Sequence, residues 1–233
     1  MLSTQPLYLR PAAAYVIGAL KSGVSHMTGG KSLDHLDEKQ ISELIEIGYR
    51  SGFKMHRFKR TMGLPRVQKV IGYLQGLNPV DLLDIGTGRG VFLWPLLDTF
   101  PVLPVTCLDK LPHRIELLKN VKEGGISNLN PITGDILQNE FNSESFDVVT
   151  FLETLEHTEI PETALLEAVR IAKRAVILSV PSKEDDNPEH IHYLREKFFT
   201  DGLQDYHSYS VKFDYVLNHM LVLIIKKSHG TDN

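Results

Sequence analysis

The sequence holds one cysteine, Cys107, and one tryptophan, Trp94, in 233 residues. A lone cysteine excludes an intramolecular disulfide, so a reducing cytoplasmic setting and an inert structural thiol are expected. No apolar run approaches the roughly 20 residues that span a bilayer. The longest near the start, Pro11 to Leu20 (PAAAYVIGAL), is followed by no A-x-A cleavage signature, so neither a leader nor membrane association is expected. Basic residues are also no majority: 25 Lys and Arg stand against 29 Asp and Glu, and the formal charge of -4 excludes a global polybasic field for nucleic acid. Internal repeats and low-complexity blocks are absent. What is present, 42% hydrophobic residues, is ample for a core, because a domain of this size buries about 70% of its unfolded surface.

Two parts follow from the periodicity. Residues 1–75 read as helical and irregular, with helices expected in DEKQISELIEIGYRSG from Asp37 and PRVQKVIGYLQGL from Pro65. Over 76–233 short apolar runs alternate with helical segments, the pattern of βαβ units and a parallel sheet. The expected strands are VDLLDIG (80–86), VTCLD (105–109), NPITGD (130–135), FDVVTFL (146–152) and AVILSV (175–180). Helices are expected in FLWPLLDTF, HRIELLKNVKEGG and PETALLEAVRIAKR, and KFDYVL with HMLVLIIKK closes the sheet as an antiparallel hairpin pair. The fold class is therefore α/β, with a seven-stranded sheet and an N-terminal helical segment.

The first strand runs into LLDIGTGRGVF, placing Asp84, Gly86, Gly88 and Gly90 in one turn. Glycines there let backbone approach a ligand, and the helix that follows favours negative charge. A G-x-G-x-x-G dinucleotide fingerprint counted from Gly86 needs glycine at 91, where the chain has Val91, which argues against an NAD site. Asp109 ends the second strand, where a carboxylate can accept ribose hydroxyls, and Asp135 with Ile136 follows the third.

In combination these residues resemble the class I S-adenosylmethionine-dependent methyltransferases, over about Asn78 to Lys227. The resemblance implies a Rossmann-like sheet of order 3-2-1-4-5 with the closing pair, and S-adenosylmethionine as donor. It implies that Asp84, Gly86, Gly88 and Gly90 flank the amino-acid part of the donor, that Asp109 binds its ribose, and that Asp135 and Ile136 meet its adenine. Arg89 is expected to be solvated or substrate-facing, and Phe92 and Trp94 to pack in the first helix.

Beyond strand four, FLETLEHTEI sets Glu153, Glu156 and His157 at i, i+3 and i+4, one side of a helical turn. Three readings stand: acids at the start of a helix continuing through TEIPETALLEAV, His157 as a general base beside Glu153, or a divalent-metal site for Mg²⁺ or Mn²⁺. The metal reading takes Glu153, Glu156, His157 and His192, with His190 as the alternative to His192, and would polarise a substrate hydroxyl. E-x-x-E-H with a downstream histidine resembles small-RNA 3'-terminal ribose 2'-O-methyltransferases, and also ubiquinone-pathway O-methyltransferases.

Between Ile47 and Val80 no acid occurs, while Arg50, Lys54, Arg57, Lys59, Arg60, Arg66 and Lys69 are basic. With Phe53, His56 and Phe58 interleaved, the stretch is either a phosphate-contacting and base-stacking surface or the solvated face of a cap. Tyr206, Tyr209 and Phe213 are expected to pack rather than to line a pocket. The function implied is S-adenosylmethionine-dependent methyl transfer, foremost to oxygen of a small-molecule acceptor. The alternatives are metal-assisted 2'-O-methylation of an RNA 3' end and a non-catalytic donor-binding regulator.

Overall fold

Apolar residues on consecutive strand positions need cover on both faces, and the chain supplies it with helices on either side of one sheet. A computed structural model describes residues 6–184 and 186–227. Four helices come first: α1 (Leu9–Leu20), α2 (Ser25–Thr28), α3 (Glu38–Arg50) and α4 (Pro65–Leu77). Helix α3 starts on a reciprocal cap, in which Asp37 accepts from the Gln40 N–H (2.8 Å) and the Gln40 side chain accepts from the Asp37 N–H (3.2 Å). Pro65 opens α4, whose missing N–H costs nothing in a first turn, and Asn78 in the left-handed region (φ 47°) ends it. Among the described residues before the sheet, a single antiparallel bridge, Leu7 to Lys59, is the one β feature.

The sheet region alternates β1 (Leu82–Ile85), α5 (Leu93–Thr99), β2 (Val105–Asp109), α6 (Pro112–Glu123), β3 (Leu129–Thr133), β4 (Phe146–Leu152), α7 (Pro161–Ile171), β5 (Ala172–Pro181), α8 (Glu196–Gly202), β6 (Tyr209–Val216) and β7 (His219–Lys226). The seven strands lie in the order β3-β2-β1-β4-β5-β7-β6, the class I methyltransferase arrangement. Strands β1 to β5 pair in parallel, and β7 enters antiparallel between β5 and β6. All four β1 residues are buried, and Ile85 is level with Leu108 of β2 and Phe151 of β4, so three strands deliver their exits to one rim.

Two elements depart from expectation. Helix α7 stops at Ile171, and AKR begins the long strand β5 instead of finishing the helix. The second is the post-β4 segment: Leu155–His157 is a single 3₁₀ turn, and α7 starts only at Pro161, so no helix runs through TEIPETALLEAV. Helix α8 has no counterpart in the sequence reading.

The N-terminal helices do not form a core of their own. One apolar cluster runs from Ala12, Leu44 and Met55 through Leu74 to Leu82, Val105 and Ile177, and a second fills the opposite sheet face around Leu83, Val149, Ala168 and Phe199. The expected boundary at 75/76 falls inside α4. Helix α1 meets α6 at backbone distance: a Cβ on Gly18 would sit 1.9 Å from the Asn120 carbonyl oxygen, and one on Gly124 would sit 1.8 Å from that of Ala14.

Gly18→Ala is therefore expected to destabilise the protein by about 1–3 kcal/mol, since an overpacked backbone contact cannot relax by side-chain motion. Gly72→Ala, in α4 with no atom within 4 Å of the new methyl, is expected to gain roughly 0.5–1 kcal/mol. Urea midpoints decide it; equal effects of the two changes would refute the packing account.

Candidate active site

The turn after β1 is built by three glycines in the left-handed region, Gly86 (φ 69°), Gly88 (φ 63°) and Gly90 (φ 80°). Two are also steric necessities: a Cβ on Gly86 would meet Thr154 Cγ2 at 2.3 Å, and one on Gly90 would meet the Trp94 indole at 2.3 Å. Trp94 is 1% exposed and Phe92 7%, so both are core residues as expected. Asp84 lies beneath the loop and accepts from Thr150 Oγ1 at 2.7 Å. Burial pushes its carboxyl up to about 6, against the Thr150 and Thr87 hydroxyls, which pull it down, while Asp109 adds to the rise.

Asp109 lies at the end of β2 and is 4% exposed. Its Oδ2 accepts from the Gly88 N–H (2.9 Å) and from Arg114 (3.1 Å), and its Oδ1 from the Leu111 N–H (2.9 Å). The strand-two acid thus ties the glycine loop to the start of α6. Asp135 accepts from the Leu137 N–H (3.0 Å) and pairs with Lys110 at 2.9 Å. Ile136, with Lys110, Phe151, Thr154 and Thr158, borders a gap of about 40 Å³.

A larger cavity of about 190 Å³ lies over the other side of the loop, between Asp84, Gly86 to Arg89 and Arg66 of α4. Glu153 and Ser179, at the ends of β4 and β5, line it. Glu153 adopts φ 50°, and its N–H continues the ladder to the Ser179 carbonyl (2.9 Å), which turns its side chain away from Glu156. Its Oε2 is 3.0 Å from His219 Nδ1, off the line of a hydrogen bond, and His219 Nε2 is 3.3 Å from Arg66 Nη1. Because a guanidinium only donates, that Nε2 accepts and His219 carries its proton on Nδ1. Burial alone raises the Glu153 carboxyl, but His219, Ser179 and Arg66 together outweigh it and hold it below the usual range. Neither Glu153 Oε1 nor Ser179 Oγ, both buried, makes an aligned hydrogen bond among the described residues.

The four-ligand expectation is corrected by this backbone. Glu153 does not share a face with Glu156 and His157, since no helix carries the three. A different trio converges: one ligand atom each from Glu156, His157 and His190 lies within 4.8 Å of the others. His157 Nδ1 is 2.6 Å from the Glu189 carbonyl oxygen, which only accepts, so the proton is on Nδ1 and Nε2 is left as the lone-pair nitrogen. The rings of His157 and His190 are 4.8 Å apart. Ile191 and His192 both donate their N–H to the Glu156 carbonyl (3.1 and 3.2 Å), which seats His190 in the trio and leaves His192 Nε2 buried with no hydrogen-bond partner among the described residues.

Ser179 and His219 escaped the sequence reading, and Arg66 entered it only as part of the basic stretch. A signal existed for His219: β7 runs antiparallel, so its first residue reaches the rim where the parallel strands end, and Pro181 is paired with it. The basic stretch is corrected at its two phenylalanines. Phe58 is fully buried against Trp94 (4.9 Å) and Tyr15 (5.5 Å), and Phe53 packs on Tyr15 (5.1 Å), whereas His56 is exposed. Tyr206 and Tyr209 pack on each other, and Phe213 on Phe199. Cys107 is buried, which pushes its thiol up and leaves it inert. No described helix is long and apolar enough to cross a membrane.

Residues 83–180 match the family described as "Methyltransferase domain". Ribosomal RNA small subunit methyltransferase G of Lactobacillus acidophilus is 32% identical over 109 residues, 45% of this chain and 45% of that protein. Ubiquinone biosynthesis O-methyltransferase of Pseudomonas fluorescens is 25% identical over 142 residues, 60% of this chain and 61% of that protein. The chain therefore spans less than two thirds of the length of these curated relatives. A SAM dependent methyltransferase from Aquifex aeolicus superimposes with TM-score 0.59 at 20% identity, over 71% of this chain and 92% of that one, which is a likeness of fold.

The buried acid under the loop has a stability signature. A folded-state pKa raised from 3.8 to about 6 means that ionising Asp84 weakens the fold as pH rises through that window. Asp84→Asn abolishes the penalty, so the stability of the variant relative to the parent is expected to climb between about pH 4 and pH 7, by on the order of 3 kcal/mol at most. Thermal melts across that range measure it; a constant difference removes the assignment.

Proposed function

We propose, for a chain whose residues 83–180 match a methyltransferase domain, that it is a class I S-adenosylmethionine-dependent methyltransferase that transfers a methyl group to the hydroxyl oxygen of a small molecule held in the cavity above Glu153. The observation that carries this reading is the buried pair Glu153 Oε1 and Ser179 Oγ, neither with an aligned hydrogen bond among the described residues, in the residues lining a cavity that also reaches the glycine loop. Such atoms call for a polar ligand, because a buried group without a partner costs roughly 1–3 kcal/mol.

When bound, S-adenosylmethionine supplies a methyl group on a positively charged sulfur. Asp84 and the left-handed glycines leave backbone bare for its amino-acid part. Asp109 takes the ribose hydroxyls in place of Arg114, and Ile136 faces the adenine. The gap of about 40 Å³ beside Ile136 holds no more than a water or so, so adenine requires Lys110 and Asp135 to part. Glu153, ionised at neutral pH, accepts the acceptor's O–H and aligns the oxygen; Ser179 donates to it. His219 and Arg66 hold the carboxylate in place. As the new O–CH₃ bond forms and the S–CH₃ bond breaks, with S-adenosylhomocysteine as the leaving group, the hydroxyl proton passes along that hydrogen bond to Glu153 and then to water.

A second reading rests on the trio. Glu156, His157 and His190 fit a divalent ion, with one carboxylate and two imidazoles, and the His157 ring is already oriented by Glu189. Two imidazoles favour Mn²⁺ over Mg²⁺. The ion would supply Lewis acidity toward substrate oxygens, as the metal-assisted ribose 2'-O-methylation of an RNA 3' end requires.

Calorimetric titration with S-adenosylhomocysteine is expected to show one site per chain, weakened about tenfold or more by Asp109→Asn; an absence of binding to the parent protein rejects the donor assignment. For the trio, Mn²⁺ binding is read from loss of the free-ion electron paramagnetic resonance signal. His190→Ala should abolish it and Glu153→Ala should leave it intact; the reverse pattern would restore the original four-ligand set, and no binding would dismiss the metal.

A further inference from the structure

Around the glycine loop lies a second concavity of about 620 Å³, enclosed by the 3₁₀ turn Met55–Phe58, the loop and α6. We propose that it binds the phosphate groups of a phosphate-ester acceptor, an inference that rests on the methyltransferase reading above. Its lining contains Lys54, Arg57, Lys59, Arg89 and Arg114 and not one acid. Of these, Arg114 alone has an acidic partner, Asp109 at 3.1 Å. Lys54, Arg57, Lys59 and Arg89 reach no carboxylate at ion-pair distance among the described residues.

In a chain where acids outnumber cations 29 to 25, four unpaired cations around one concavity are a concentrated charge. Elsewhere the ordinary outcome is pairing, as for Lys69 with Asp214 (3.4 Å) and Lys21 with Glu123 (3.3 Å). An anion relieves the mutual repulsion among the four, and focusing between low-dielectric walls strengthens their pull on one. The first turn of α6, which adds His113 and Arg114 to the lining, carries no acid.

The chemistry of the lining narrows the anion. Guanidinium and ammonium groups suit phosphate oxygens. No Phe, Tyr or Trp ring is presented for stacking: Trp94 in the floor is 1% exposed, its Nε1 committed to the Arg57 carbonyl (2.8 Å), and Phe58 is buried behind it, which leaves the imidazoles of His56 and His113 as the rings in the lining. The lining thus offers charge foremost. Its volume is in the range of about 300–1,000 Å³ typical of whole-ligand pockets and exceeds what a bare inorganic ion needs. Gly88, Arg89 and Val91 line both this concavity and the smaller cavity above Glu153, so the two open on opposite sides of one loop. A ligand anchored by phosphate on one side can present its hydroxyl on the other.

The test titrates the full chain, saturated with S-adenosylhomocysteine, with inorganic pyrophosphate and with a short single-stranded oligoribonucleotide. Saturable binding of at least one probe is expected, weakened about tenfold or more in the exposed double variant Lys54→Gln/Lys59→Gln. A tighter oligoribonucleotide with a steep salt slope assigns the pocket to a polynucleotide backbone; binding no tighter than pyrophosphate assigns it to a small phosphate ester. No binding of either probe, or equal binding by the variant, overturns the proposal. Displacement of pyrophosphate by S-adenosylhomocysteine overturns it as well, because the cations would then hold the donor's own carboxylate. If pyrophosphate binds and S-adenosylhomocysteine does not, the phosphate pocket stands and the donor assignment alone fails.

Discussion

The contact of Gly86 with Thr154 governs the geometry of everything at the rim. With hydrogen alone on the Gly86 Cα, the β1 turn presses against the β4 turn at a distance that no methyl group fits. That closeness locks the glycine loop to the segment that aims Glu153 in one direction and Glu156 in another. A side chain at position 86 would push the turns apart and at once loosen the loop, the strained Glu153 backbone and the cavity between them. The site is thus one object with two turns, not a binding loop beside a catalytic one.

The same rim is coupled downward to the sheet. Asp84 is an acid paired with hydroxyls and no cation, tolerated under the loop at a cost in stability. Asp109 stitches the loop to α6 through three donors. Loop position is therefore set by two carboxylates at the ends of adjacent strands, which is where parallel strands of equal register leave them.

Much of this was legible in the sequence. VTCLD and FDVVTFL coincide with β2 and β4, and PRVQKVIGYLQGL with α4, because each carries an uninterrupted pattern, with Pro104 ahead of β2 and Pro65 and Asn78 at the ends of α4. The strand-end acids followed from strand positions. The failures share a cause. The spacing of Glu153, Glu156 and His157 suits a helix, but Glu153 stays on the sheet ladder and takes a positive φ, which no local pattern announces. It is His190 and not His192 that stands beside Glu156 and His157, through backbone bonds from residues 191 and 192 to Glu156, a tertiary choice. Phe53 and Phe58 looked like surface residues between cations, yet the 3₁₀ turn folds them under. AKR joined β5 because pairing of Ala172 with Phe146 outweighed its helical preference.

Helix α1 has a consequence for synthesis of the chain. Its alanine-rich face closes against α6, about a hundred positions later, through glycines that leave no substitute partner. A ribosome emits the helix at about 5–20 residues per second, so the apolar face waits several seconds for residues 112–123 to appear. During that interval the face that α6 will cover stays open on the nascent chain. It is a surface that a chaperone can cover until α6 appears, long before β7 (His219–Lys226) enters the sheet.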